Sequence, residues 1–450
     1  MGRIVSESAR LVCSGIADVF VGRQPRVCHL ECRFLKTEST NNKRHGTNFG
    51  RERGLMALLF SPELRLAAAC SIWPPSDRRT EAIRQAASGH LDWNFFLRVI
   101  VRHGVVGLAY ESLKSAGITV PENISHAMSG RTTAVVRQNL ALTAEAIRLS
   151  RLFAEANVPV LFVKGTTLAS LVYGSFTLRE GKDLDLFVPF DFLIAATEVV
   201  ERAGYLRFDP PRSSTDAQLR LLQPLRKDYG YLNDTNGIQI ELHWRFVLNP
   251  QFLDETTVMT SSRIIPITAT IGLRTLGEDD LFAYLCAHGA QHWWYQLKWL
   301  ADVGALLAGA PNDGVEQLYR AAKKRRVERA AAQAILLCHR ILGTEVPDQL
   351  LTRFKASPTL RWLEATALKA MSAGKGELEP RQVLFGTTRG SFSTFFLRND
   401  WRYWLAELKI HLICQADVLT VALPKSLHSL YPVLRLPLWL WRHTREKITR

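Results

Sequence analysis

The 450-residue sequence lacks an uninterrupted apolar run of the ~20 residues that a transmembrane helix requires. Its most apolar region, residues 410–441, is broken at intervals by charged residues and prolines, namely Asp417, Pro424, Lys425, Arg435 and Pro437. Charged residues also interrupt every early apolar stretch, so no secretory signal peptide is recognisable. We therefore expect a protein without a transmembrane segment.

The sequence has only seven cysteines, an odd number, and most of them lie far apart. This pattern argues against a disulfide-stabilised secreted fold. Cys28, Cys32 and His45 supply at most half of a zinc site, because no second pair of ligands completes it. Reduced thiols and the missing signal peptide together predict a cytoplasmic protein.

Acidic residues are outnumbered, with 42 Asp and Glu against 57 Lys and Arg, and the net charge is +15. This excess either keeps the protein soluble by self-repulsion or favours a polyanionic partner such as a nucleotide, a nucleic acid or an anionic membrane. The basic, Trp-rich end, residues 436–450, fits weak contact with an anionic membrane and equally fits a terminal segment docked on the protein. Composition leaves these alternatives open.

Hydrophobic periodicity divides the chain into four parts. Residues 1–55 look unlike the rest, because the stretch 36–53 is polar and aperiodic, and we predict that they form a disordered or non-native N-terminal extension. Residues 56–157 and 273–450 have helical spacing, whereas residues 158–272 alternate short strands with helices. We therefore predict an α+β fold, in which a small mixed β-sheet is flanked by N-terminal helices and a C-terminal helical domain.

Two aspartates lie two residues apart in the predicted strand 183–188. Side chains at this spacing share one face of a strand, so Asp183 and Asp185 point together while the intervening apolar residues face the core. Paired carboxylates can hold divalent cations, and two such metals clamp the attacking and leaving oxygens of a phosphoryl displacement. The alternative is a surface strand with two solvated acids.

A second alternating strand, residues 238–244, places Gln239, Glu241 and His243 on one face and apolar residues on the other. If this strand lies beside the aspartate strand, Glu241 becomes a third carboxylate that acts as a metal ligand or as a base. His243 would then orient Glu241 or contact phosphate. The alternative is a solvated sheet face.

A turn and an arginine precede the aspartates. Lys164, Gly165 and Thr166 lie between a short apolar strand and a helix predicted to begin at Leu168. Glycine lets a phosphate approach the backbone, and the free amides of a helix N-terminus favour anions. Arg179 can offer a bidentate fork to a triphosphate. An ordinary turn and a solvated arginine are the alternatives, because the Walker spacing is absent.

A helix predicted over residues 278–308 carries a polar and aromatic stripe. Its members recur every three or four residues and therefore share one face: His288, His292, Tyr295, Trp299 and Asp302. The stripe either packs against the α/β region or lets His292, Lys298 or Asp302 line the cleft that holds the nucleotide or the acceptor. No His-Glu-x-x-His pattern is present to support a zinc site.

Taken together, these segments resemble the uncharacterised nucleotidyltransferase family of the polymerase-beta-like superfamily. The resemblance rests on short runs at residues 91–93, 102–105, 160–165, 183–186, 241–244, 286–292 and 297–302, together with Tyr173 and Arg179. It covers residues 85–445. In the wider superfamily a Gly-Ser pair precedes the acids, and here Lys164-Gly165 and Gly174-Ser175 compete for that place.

The resemblance implies a nucleotidyltransferase that moves a nucleoside monophosphate from a nucleoside triphosphate such as ATP to an acceptor. It implies Mg²⁺ or Mn²⁺ bound by Asp183, Asp185 and Glu241, and phosphates bound by Lys164, Gly165 and Arg179. The acceptor, whether a sugar, lipid, protein or RNA, is left open, although the family is often met in bacterial polysaccharide gene neighbourhoods. Two other functions also stay open, namely a catalytically inactive nucleotide-binding protein with a regulatory or interaction role, and a metal-dependent phosphohydrolase.

Overall fold

The computed structural model describes residues 60–311, 313–372, 386–413 and 415–448. The predicted N-terminal extension, residues 1–55, lies outside the described residues. No helix in the described ranges combines the length and hydrophobicity that a membrane span requires.

The N-terminal helices begin at polar caps wherever the sequence supplies them. The helices are α1 (Pro62–Cys70), α2 (Asp77–Ala87), α3 (Trp93–Arg102), α4 (Val106–Ser115) and α5 (Glu122–Glu155). Ser61, Ser76 and Asp92 each accept a backbone N–H of the first turn of the helix that follows. Helix α5 ends just before Pro159, where Asn157 adopts a positive φ of 56°.

The central region forms a five-stranded mixed sheet. Its elements are β1 (Leu161–Phe162), α6 (Thr166–Tyr173), β2 (Leu184–Phe187), α7 (Leu193–Arg202), β3 (Leu206–Asp209), α8 (Asp216–Leu222), β4 (Asp228–Leu232) and β5 (Gln239–His243). The strand order is β1-β2-β5-β4-β3, and only the β2–β5 pair is parallel. A separate antiparallel hairpin, β6 (Arg263–Pro266) and β7 (Gly272–Thr275), follows. The predicted α+β class with a small mixed sheet is confirmed.

The rest of the described chain is helical. Its helices are α9 (Glu278–Gln291), α10 (Leu297–Gly309), α11 (Gly314–Lys324), α12 (Glu328–Leu337), α13 (Asp348–Ala356), α14 (Pro358–Ser372), α15 (Gly386–Ser393), α16 (Trp401–Leu412), α17 (Gln415–Thr420) and α18 (Tyr431–Ile448). Short 3₁₀ and π segments connect several of them.

The prediction of one helix over residues 278–308 is wrong, because the chain breaks between α9 and α10. Trp293 and Trp294 both have φ of 55°, outside the right-handed helical region. The Trp294 ring packs directly against Gly289, and its indole N–H donates to Gln333 Oε1 over 3.2 Å. Burial of this ring stabilises the turn that helical spacing alone does not reveal.

Two main cores lie on opposite faces of the sheet. The larger core joins α1 to α4 with α9 to α14, so helices from both ends of the chain share one apolar interior. The smaller core packs the C-terminal half of α5 and helix α7 against the other face of the sheet. The domain boundaries predicted from periodicity stay a prediction, although the flanking helices belong to a common core.

Candidate active site

The parallel pair β2–β5 brings the predicted acids together on the sheet face that is turned toward α9. Leu184, Leu186 and Leu242 pack into the smaller core, so the alternate side chains of both strands point the other way. The register pairs Asp185 directly with Glu241. The two strands therefore lie side by side, which is the arrangement that a third carboxylate at the site required.

Asp185, Glu241 and His243 form a group of three convergent ligands. One ligand atom from each side chain lies within 4.8 Å of the other two. His243 Nε2 is 3.3 Å from Asp185 Oδ1 and 3.3 Å from Glu241 Oε2. The side chains of Asp185 and His243 are only 5% and 2% exposed, whereas that of Glu241 is 33% exposed. Glu241 is therefore the solvent-facing member of the group.

Asp183 lies one residue before β2 and is half-buried; it is not one of the three convergent ligands. Burial, together with the neighbouring carboxylates of Asp185 and Glu241, raises the pKa of Asp183 to about 6. Three acids thus lie close together. A bound cation would relieve their mutual repulsion.

Lys164 is the counter-ion of Asp185. Its Nζ lies 3.0 Å from Asp185 Oδ1 and 5.3 Å from the centre of the Tyr284 ring on α9. Burial opposes ionisation of Asp185, but the Lys164 ammonium and the His243 ring hold the pKa of Asp185 well below its usual range. Asp185 is therefore an anion at neutral pH.

The turn after Lys164 lies beside the acids. Gly165 precedes α6 with a φ of 63°, a conformation that favours glycine. A Cβ on Gly165 would stand 3.9 Å from the Asp183 carbonyl oxygen. Thr166 is the first residue of α6, two positions before the predicted start, and its Oγ1 is 2.8 Å from Thr143 Oγ1. The turn therefore offers a helix N-terminus next to the aspartate strand.

The competing Gly174-Ser175 pair lies at the other end of α6. Gly174 is the left-handed C-cap of the helix, with a φ of 64°. Ser175 Oγ is 2.7 Å from Thr177 Oγ1 and accepts the Thr177 N–H over 3.2 Å. This pair therefore ends a helix, whereas Lys164-Gly165 begins one.

Arg179 is held by Asp302 of α10. Arg179 Nε lies 3.0 and 2.9 Å from the two Asp302 carboxylate oxygens, and the Tyr173 hydroxyl donates to Asp302 over 3.1 Å. The Arg179 and Asp302 side chains are 6% and 0% exposed. The structure therefore places Arg179 in a buried ion pair beside the site, where it supports the loop that leads to Asp183.

Lys298 and His292 lie on the α9–α10 side. Burial, together with Arg179 and Lys182, lowers the pKa of Lys298 to about 8, while Asp183 partly opposes this shift. Tyr284, His288 and His292 follow one face of α9 at four-residue spacing. The His288 and His292 rings are 4.7 Å apart, and both contact Trp299. Aromatic side chains thus extend from Lys164 to solvent-exposed His292.

Sequence reasoning missed Lys227, Asp228 and Tyr284. The β4–β5 register pairs Asp228 with His243, and Asp228 Oδ2 lies 3.5 Å from His243 Nδ1. Lys227 Nζ lies 2.6 Å from Asp228 Oδ2 and 4.0 Å from Glu241 Oε2. The alternation of Tyr229 and Tyr231 indicates that β4 is a strand. Only its pairing with β5 shows that Asp228 lies beside Nδ1 of His243.

Asn139 of α5 positions the loop that carries Arg179 to the acids. Its Nδ2 donates to the carbonyls of Phe176 and Arg179 over 2.5 and 2.8 Å, and its Oδ1 accepts the Gly181 N–H over 3.1 Å. A Cβ on Gly181 would lie 2.9 Å from Asn139 Oδ1, so glycine permits this close approach. A long helix therefore anchors the backbone just before Asp183.

Comparison with known proteins matches the same region. A family model described as "Uncharacterised nucleotidyltransferase" covers residues 89–343, which include every predicted site residue and more than half of the chain. No curated protein and no solved structure matches the chain. The acids, the lysines and the N-terminus of α6 lie together within the matched region. Because the family model covers more than half of the chain, the chain belongs to the uncharacterised nucleotidyltransferase family.

Proposed function

We propose that this chain transfers a nucleoside monophosphate from a nucleoside triphosphate to an acceptor hydroxyl or phosphate. The acceptor oxygen forms a bond to the α-phosphorus while the bond between that phosphorus and the departing pyrophosphate breaks. The observation that carries this proposal is the parallel β2–β5 register, which pairs Asp185 with Glu241 beside Lys164. Membership of the nucleotidyltransferase family supports the reaction class.

Asp183, Asp185 and Glu241 would hold Mg²⁺ or Mn²⁺, with His243 as a further ligand. The donor set fits such an ion, because carboxylate oxygens suit both metals and manganese also accepts imidazole. His243 Nδ1 is buried and makes no hydrogen bond within the described residues, but it faces Asp228 at 3.5 Å. A carboxylate behind a histidine is the arrangement that orients metal-binding imidazoles. When bound, the cation supplies charge neutralisation at the phosphate oxygens.

The chain's own cations would bind the phosphates. Lys164, Lys227 and Lys298 lie around the acids, and the N-terminus of α6 offers free amides after Gly165. These groups orient the triphosphate for in-line attack and stabilise the charge that develops on pyrophosphate. Glu241, the most exposed of the convergent ligands, would accept the acceptor's proton.

The test is a labelling assay with purified protein, Mg²⁺ and a cell extract. Each of the four nucleoside triphosphates is supplied with an α-phosphorus label, and labelled acceptors and pyrophosphate are measured. We expect wild-type protein to label an acceptor and the Asp183→Ala, Asp185→Ala double variant to lose about 10³-fold or more of this activity, because removing one transition-state stabilising group costs ~10²–10³. The matched control is Asp191→Ala, an exposed aspartate outside the site.

Three outcomes contradict the proposal. Nucleotide binding without pyrophosphate release, in every extract tested, indicates a regulatory nucleotide-binding protein. Free labelled monophosphate without a labelled acceptor indicates a phosphohydrolase that uses the same acids. Equal labelling by wild type and the double variant would show that the transfer does not depend on these carboxylates.

A further inference from the structure

Helix α16, in the C-terminal part of the chain, turns its apolar side away from the protein. Its exposed hydrophobic residues recur at helical spacing along one stripe: Trp401, Trp404, Leu405, Leu408 and Leu412, which are 63%, 44%, 57%, 44% and 38% exposed. The opposite side of the helix is buried and carries Tyr403 and Glu407. A surface helix normally directs its apolar stripe to the core, so this orientation is the reverse of the usual one.

The exposed apolar surface continues beyond α16. The adjoining segment and α18 add Leu427, Leu430, Val433, Leu440 and Trp441, of which Val433 is 72% exposed. A groove lined by Leu405, Leu408, Leu412, His428 and Pro432 joins α16 to the start of α18. We call these exposed residues of α16, residues 427–430 and α18 the C-terminal apolar face. Contiguous exposed apolar surface of this kind marks an interaction site.

The other side of these helices is anchored to the protein. Asn249 donates to Glu407 Oε2 over 2.8 Å, and the Tyr403 hydroxyl donates to the Thr394 carbonyl over 2.5 Å. Val418 and Tyr431 pack with Leu222 and Leu225 in a small apolar cluster. The buried side of α16 therefore packs against the rest of the protein. This packing leaves the C-terminal apolar face exposed.

The sequence of the segment that carries the face is basic. Residues 401–450 contain eight Lys or Arg and three Asp or Glu, which is a net charge of +5. Two of the three acids, Glu407 and Asp417, are buried. Arg402 and Lys409 are exposed, lie seven residues apart, and border the apolar stripe of α16 on one side. The surface therefore combines tryptophan, leucine and basic side chains.

We infer that the C-terminal apolar face binds the surface of an anionic phospholipid bilayer. Its helices lie in the interface, tryptophan and leucine side chains enter the boundary of the acyl chains, and basic side chains contact the headgroup phosphates. Charge disfavours two other occupants of the face. The segment 1–55 is itself basic, with ten Lys or Arg against five Asp or Glu, and a second copy of the chain would present the same basic face. This inference does not depend on nucleotidyl transfer.

The test is vesicle co-sedimentation with the full chain. We expect wild-type protein to sediment with phosphatidylcholine vesicles that contain phosphatidylglycerol, and to sediment far less with pure phosphatidylcholine or at high salt. The Leu405→Glu, Leu408→Glu double variant should bind about tenfold more weakly or worse, because two leucines no longer enter the interface. Both side chains are exposed, so the variant should fold; circular dichroism and the thermal midpoint check this.

The matched control is the Ile194→Glu, Ile264→Glu double variant, which changes two isoleucines that are 78% and 70% exposed outside the face. It should bind like wild type. A second variant, Arg402→Gln with Lys409→Gln, should reduce binding to anionic vesicles while leaving the weak binding to neutral ones. Failure of wild type to sediment, or wild-type binding by the leucine variant, overturns the inference. A wild-type dimer that the leucine variant dissociates also overturns it, because a second copy then covers the face.

Discussion

At the scale of single residues, the contacts of the candidate site centre on Asp185. One of its oxygens, Oδ1, is shared between the Lys164 ammonium and the His243 ring. Glu241 reaches the same histidine nitrogen, and Asp228 faces the other one. A cation entering this group must therefore compete with Lys164 for Asp185.

This competition gives a prediction for Lys164→Gln. Removing the ammonium 3.0 Å from Asp185 leaves more negative charge for a cation, so we expect Mn²⁺ to bind several-fold to about tenfold more tightly. Binding is measured by calorimetry or by electron paramagnetic resonance, without nucleotide. The exposed Lys182, next to Asp183 in sequence, supplies the control variant Lys182→Gln. Unchanged Mn²⁺ affinity in Lys164→Gln would mean that the cation binds elsewhere.

At the scale of elements, helix α5 organises both loops that flank the acids. Asn139 holds the loop from Phe176 to Gly181, and Thr143, one turn later, contacts Thr166 at the start of α6. Because residues four apart share a helix face, one side of α5 aligns the two loops. The position of Asp183 therefore depends on a helix that contributes none of the predicted site residues.

We accordingly predict that Asn139→Ala destabilises the protein by about 2–3 kcal/mol, since it leaves a buried N–H and two carbonyls without their partner. Urea denaturation measures this change. The control is Gln138→Ala, an exposed neighbour on the same helix, which should change stability by less than about 0.5 kcal/mol. If the two variants are equally stable, the three hydrogen bonds of Asn139 do not hold the loop.

At the scale of the whole molecule, the N-terminal and C-terminal helices form one core that covers the sheet face carrying the candidate site. The buried Arg179–Asp302 pair links the loop before β2 to α10 within this assembly. Tyr173 adds a hydrogen bond from α6 to the same carboxylate. The site is therefore assembled by docking of sequence-distant elements.

We predict that breaking this link lowers the stability of the protein. Asp302→Ala should destabilise the protein by about 3–5 kcal/mol, because it leaves the Arg179 guanidinium buried without its counter-ion. The control is Glu316→Ala, which removes an exposed pair with Arg320 and should cost less than about 1 kcal/mol. Thermal and urea unfolding measure the stability of both variants. Similar losses in the free energy of unfolding would show that burial of the Arg179–Asp302 pair does not contribute to stability.

Local patterns predicted much of the site, and long-range pairing decided the remainder. Alternation along β2 and β5 placed Asp185 and Glu241 on matching faces, and the Lys164-Gly165 turn does precede a helix. Helical spacing failed at residues 292–296, where the buried Trp294 ring ends α9. Arg179 was predicted to bind phosphate because of its chemical type. Its ion pair with Asp302 could not be predicted from a local pattern, because the two residues lie 123 positions apart in the chain.

By itself, the sequence determined which residues can share a face, since strand and helix periods depend on local backbone geometry. It determined the mixed composition of the fold and the chemical types present in the site. The tertiary structure alone decided that Asp185 stands opposite Glu241, that Asp228 backs His243, and that α16 exposes its apolar stripe. The physical reason is that strand register and helix docking arise from contacts between residues far apart in the chain, which no local pattern encodes.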